Sequence, residues 1–159
     1  MKHTEKVPRQ RSVGLILLDA RSRIWCVREL KEKPELGKIL GVKDRSFPWE
    51  TKHDGESDAA AMQRLVYEEL DATRTVHFSE PLPIGPVWVY DTLAHVYIAW
   101  FHSGPENMRG ADAGIEVEPL GWQTRGFLLE CCRDGVREVF ERFDACANLL
   151  AEEPDRIDA

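Results

Sequence analysis

Glu68 and Glu69 are adjacent acids near the end of a segment, 57–70, that reads as helix, and a tight turn at Asp54-Gly55, Glu56 and Arg64 precede them. Such a pair has two readings. Adjacent acids on a helix are commonly a solvated face. Clustered carboxylates are also what a hard divalent cation such as Mg²⁺ or Mn²⁺ prefers, and that cation can generate or orient a nucleophilic water. Glu50, on the loop before the turn, and Glu116 and Glu118, much later, offer further carboxylates. A helix advances ~100° per residue, so with Met62 at zero Arg64 falls at ~200°, Glu68 at ~240°, Leu65 at ~300° and Glu69 at ~340°. Leu65 therefore projects between the two acids. Arg64 and Glu68 are spaced as an i, i+4 ion pair, worth a few tenths of a kcal/mol when exposed.

The elements that must position these groups follow from patterning. Residues 13–18 and 24–27 are short apolar runs around a polar turn, a strand pair whose first member is buried. Residues 29–45 are dense in charge and broken by Pro34, Gly37 and Gly41, which predicts a long loop. In the helix, Ser57 is placed to cap, Asp58 suits the dipole of the first turn, and Met62, Val66 and Leu70 make an apolar stripe. Residues 87–90 and 95–101 read as strands, the second apolar on both faces as a central strand is. After a polar loop at 103–114, a short strand is expected at 115–117, then Trp122. Val136, Val139, Phe140, Phe143, Ala147 and Leu150 have helical spacing. The expected organisation is a polar lead-in at 1–11, one mixed α/β domain at 12–151 and a frayed acidic tail at 152–159.

The chain's 159 residues fit one domain with a core of its own, and 43% hydrophobic with 31% charged residues is an ordinary globular balance. The 28 acids exceed the 21 bases, giving a net charge of −7 that weighs against a nucleic-acid partner. No apolar run reaches the roughly 20 residues of a membrane span. The N-terminal segment lacks a secretory h-region, so a cytoplasmic location is expected. Cys26, Cys131, Cys132 and Cys146 contain no CxxC pair and read as thiols in a reducing compartment.

The segment 47–72 resembles the Nudix box, whose family pattern is G-x5-E-x7-R-E-U-x-E-E-x-G-U. Glu56 falls on the first glutamate, Arg64 on the arginine, Val66 on the apolar position, and Glu68 and Glu69 on the glutamate pair. Phe47-Pro48 and Gly55-Glu56-Ser57 match the usual flanks. The strands before the box and Glu116-Val117-Glu118, Trp122 and the terminal helix after it extend the likeness over nearly the whole chain. The departures are Trp49 and Glu50 at the opening glycines, Leu65 at the glutamate after the arginine, and Asp71 followed by Ala72 at the late glycine.

This resemblance implies an α/β/α sandwich with a mixed sheet. It also implies a hydrolase that cleaves the pyrophosphate linkage of a nucleoside diphosphate derivative with Mg²⁺ or Mn²⁺. Extra negative charge on the phosphoryl oxygens is what the cation neutralises. Glu68 and Glu69 would hold the metal, with Glu50 as substitute third ligand and Glu118 or Glu116 as general base. Glu56 and Arg64 would tie the helix to its loop. Restoring an acid by Leu65→Glu is expected to raise the rate if the site is merely weakened. The alternative is a catalytically impaired Nudix-like module that binds a nucleotide or a protein. Under either reading a second copy of the chain is a further expected partner. Among the basic residues of the long loop, Lys38 and Arg45 are the candidates for substrate phosphates, although the mixed charges there read first as a solvated surface. Most of the five tryptophans are expected in the core; Trp49, beside the metal site, is the one placed to stack on a base. His53 and His95 read as ordinary loop and strand residues.

Overall fold

Strand β1 (Gln10–Leu18) is the axis of the molecule, because its apolar run is buried on both faces. Val13, Leu15 and Leu17 face one helical layer, while Ile16 and Leu18 face the other. The structure, a computed structural model, describes residues 5–151, with the side-chain surroundings given as far as residue 145.

β1 pairs in parallel with β7 (Thr92–Ser103), from Gln10 opposite Thr92 to Leu18 opposite Trp100. It meets β2 (Ile24–Glu29) only at Leu18 and Ile24, after which β2 diverges to pair with β8 (Val117–Gln123). The short strands β3 (Arg45–Ser46), β4 (Trp49–Thr51) and β5 (His77–Phe78) attach to β2, β1 and β7, and β6 (Leu82–Val89) forms a hairpin with β7. One face of this mixed sheet carries α1 (Asp58–Leu65), through Ala61, Met62 and Leu65. The other carries α2 (Arg125–Glu130) and α3 (Val136–Ala151), through Leu128, Val136, Val139 and Phe140. This is the α/β/α sandwich expected from the sequence.

The local signals were accurate where they were chemical. Ser57 caps α1, its hydroxyl accepting from the Ala60 amide at 3.1 Å. Periodicity was less informative for short elements. The strand expected at 115–117 begins at Val117 and runs to Gln123, because Ile115 lies in a turn and is 61% exposed whereas Val117 is buried. β4, β5 and α2 were not anticipated, each being too short to show a period. The long loop contains a 3-10 turn at Pro34–Leu36, closed by Gly37 with φ of +69°. Trp25 and Trp49 are buried, but Trp88 and Trp100 are exposed. Trp88 lies on the face of edge strand β6 opposite the one that α3 covers. Burial pushes the Cys26 thiol up to about 12, which makes it an inert core residue. The acidic tail, the Cys146 thiol and the side chains of Ala147 and Leu150 lie outside the described residues.

Candidate active site

The candidate site is built where β4 delivers Glu50 against the end of α1. β4 runs antiparallel to β1, with Glu50 opposite Val13 and Trp49 opposite Gly14. The chain then turns at Gly55, whose φ is +75°. The Glu56 amide donates to the His53 carbonyl at 3.0 Å, and the His53 amide donates to Glu56 Oε1 at 2.9 Å.

Arg64 joins these pieces. Its Nε and Nη2 donate to Glu56 at 3.2 and 2.9 Å, and Nη2 also donates to the Thr51 carbonyl at 2.6 Å. Nη1 stands 3.0 Å from Glu50 and 3.6 Å from Glu68. The hydrogen bonds from Arg64 and from the His53 backbone hold the Glu56 carboxyl down at about 2. Arg64 therefore links the turn, the strand and the helix.

After Leu65 the helix widens into a π turn, Val66–Leu70, closed by the Asp71 amide donating to the Val66 carbonyl at 2.7 Å. This turn advances less per residue than an α-helix, so the straight helical projection fails for the acids. Leu65 does not project between them; it is fully buried among Val13, Leu15 and Leu17. Glu69 turns inward and is only 7% exposed, with Oε2 accepting from the Trp49 amide at 2.8 Å. Glu68 stays half-buried. The segment 109–112 braces the turn: the Ala111 amide donates to the Tyr67 carbonyl at 2.9 Å, and the Asp112 amide to the Glu68 carbonyl at 2.8 Å. These bonds satisfy carbonyls that a helix end leaves open.

The electrostatics follow from this crowding. Burial, reinforced by the neighbouring Glu68, pushes the Glu50 carboxyl up to about 7 despite Arg64. Burial, then the charges of Glu29 and Glu50, push Glu69 well above the ordinary carboxylate range, although the Trp49 amide opposes this. Burial, with Glu68 and Glu116 close by, raises Asp112. Among the described residues, no three His, Cys, Asp or Glu side chains already stand as a ligand set for one cation.

The remaining sequence candidates are dispersed. Glu116 pairs with Lys31 at 2.7 Å, and among the described residues Glu118, on β8, has only an exposed 3.9 Å contact with Arg109. Arg45 is held away by the Phe127 carbonyl at 2.6 Å and stacks over the Phe127 ring. Lys38 is not part of a solvated surface; it is largely buried and lies 3.4 Å from Glu29. Trp49 is buried between Phe47, stacked at 5.1 Å, and Arg133, and its Nε1 donates to Ser12 at 2.6 Å.

Sequence reading missed Glu29, Asp112 and Arg133. Glu29 was recoverable from register, since it continues the Trp25 and Val27 face of β2. Arg133 carried no local signal. A cavity of about 690 Å³ lies beside Met62, Val66, Tyr67 and Tyr97, and none of Glu50, Glu68 and Glu69 lines it. There Asp58 binds Lys52, Tyr97 and His95, which outweigh its burial and hold its carboxyl at about 2.

Neither a family model nor a curated protein matches the sequence. Solved structures do match. A Nudix hydrolase from Nitrosomonas europaea superposes with a TM-score of 0.63 at 17% identity, covering 86% of this chain and 88% of its own. A MutT protein from Methanosarcina mazei Go1 gives 0.60 at 17% identity, covering 91% and 99%. A Deinococcus radiodurans protein gives 0.55 at 18%, covering 89% and 86%. Taken with the loop–helix segment and the sheet that carries it, these superpositions show that the chain has the Nudix hydrolase fold.

Proposed function

We propose that the protein is a hydrolase that cleaves the pyrophosphate linkage of a nucleoside diphosphate derivative with a divalent metal. The observation that carries this reading is the confinement of Glu50, Glu68 and Glu69 between β4 and the π turn, two of them desolvated and raised. The substrate class rests on the resemblance of the box.

The donor chemistry suits Mg²⁺ or Mn²⁺. Glu50, Glu68 and Glu69 would hold it, because burial and neighbouring carboxylates disfavour the charged forms of Glu50 and Glu69 until a cation joins them. Once bound, the cation supplies Lewis-acid stabilisation of the phosphoryl oxygens. Arg64 orients Glu50 and Glu68 from behind. Glu118, the less firmly tied of the two later glutamates, is the candidate to take a proton from water. Lys38 is the better placed of the two basic candidates to meet substrate, since Arg45 is engaged with α2.

A panel of nucleoside diphosphate derivatives incubated with Mg²⁺ tests this by release of phosphorylated products. Turnover is expected, falling about 100-fold or more in Glu69→Gln. Equal rates in wild type and variant overturn the assignment. Arg64 between Glu50 and Glu68, and the buried apolar Leu65, favour a second reading, a nucleotide-binding module. Nucleotide binding with no turnover of any substrate selects it.

A further inference from the structure

A second polar site adjoins the carboxylates. Arg133, in the connection between α2 and α3, is 6% exposed, and its Nε has no hydrogen-bond partner among the described residues. Its guanidinium lies 4.7 Å over the Trp49 ring, with Nη1 3.4 Å from Glu29 Oε1. Lys38 Nζ lies at 3.4 Å from that same oxygen. Two cations thus share one carboxylate at long distance, and a buried guanidinium nitrogen is unpaired. A group left so costs free energy unless a ligand completes it.

Both cations line a partly open hollow of about 40 Å³, together with Trp49, Ser12, Gln10 and Thr51. At ~10–15 Å³ per water, this admits about three waters or one compact tetrahedral group. Its wall is shared with the acid cluster, since the Trp49 amide donates to Glu69 and the Trp49 ring lines the hollow. The planar fork of an arginine matches the oxygens of a phosphoryl group, and a lysine adds a point charge beside it.

We propose that this hollow is a phosphoryl-binding site that works without a metal ion, with Arg133 and Lys38 as its cations and Trp49 as its wall. It receives the phosphoryl group of a ligand whose remainder extends towards Glu50, Glu68 and Glu69. That last placement rests on the hydrolase reading, whereas the anion site itself does not. Glu29 holds both cations ready and is displaced in part when the anion arrives.

Inorganic phosphate is the probe, titrated calorimetrically into the full chain with EDTA present and chloride at matched ionic strength. Saturable binding is expected in wild type. Arg133→Lys, which keeps the charge and loses the fork, should weaken it about tenfold. Thr51→Glu, an exposed position that puts a carboxylate at the rim without touching the buried cations, should weaken it at least as much. Thermal unfolding checks that both variants are folded. No saturable heat in wild type, or wild-type affinity in Thr51→Glu, overturns the proposal. Because no metal or turnover is involved, a failed hydrolase assay leaves this result standing, and the reverse also holds.

Discussion

Leu65→Glu is expected to unfold the protein or come close to it, rather than to improve a weakened site. Leu65 is fully buried in the layer formed by Val13, Leu15, Leu17, Met62 and Val117. A glutamate there places a carboxylate among hydrocarbon with no cation to meet it, a cost of about 3–5 kcal/mol. Total stabilities are about 5–15 kcal/mol, so that loss is a large share of the whole. Leu65→Met, which conserves volume, should cost less than about 1.5 kcal/mol. Chemical denaturation of the two variants checks this. A Leu65→Glu protein as stable as wild type would mean that the position opens to solvent beside the acids.

Gly110→Ala is expected to be nearly as severe, by a different route. Gly110 is buried against the π turn, and a methyl group there would overlap the Glu68 carbonyl and the Glu69 amide nitrogen. Those are backbone atoms, so no rotamer change relieves the clash. Loss of about 3 kcal/mol is expected, with Glu68 and Glu69 displaced together. Gly114→Ala is the internal control. A methyl group at Gly114 meets open space, and its only cost is a left-handed backbone at φ of +84°, about 1–2 kcal/mol. Denaturation midpoints of the pair separate them, and similar midpoints would contradict the close packing of 109–112 on the turn.

These two positions also show what the sequence could convey. The apolar run of β1, the Ser57 cap and the order of elements were legible because they are local and chemical. The spacing of Glu56, Arg64, Glu68 and Glu69 was legible as a motif. The π turn was not, because nothing in Val66-Tyr67-Glu68-Glu69-Leu70 distinguishes it from an ordinary helical turn; it is held by amides from 111–112, some 40 residues on. Leu65 completes the buried Ala61 and Met62 face of α1, and the widened turn after it carries Glu69 inward to the Trp49 amide. Arg133 and Glu29 were invisible for a related reason. Their pairing spans 104 residues, a relation that only the folded sheet supplies.

The account depends on Glu50, Glu68 and Glu69 acting as one cation site, and Mn²⁺ binding followed by calorimetry tests that most directly. Wild type is expected to bind Mn²⁺ saturably, and Glu69→Gln, shown to be folded by thermal unfolding, at least tenfold more weakly. No Mn²⁺ binding by wild type, or the same affinity in the variant, would contradict it.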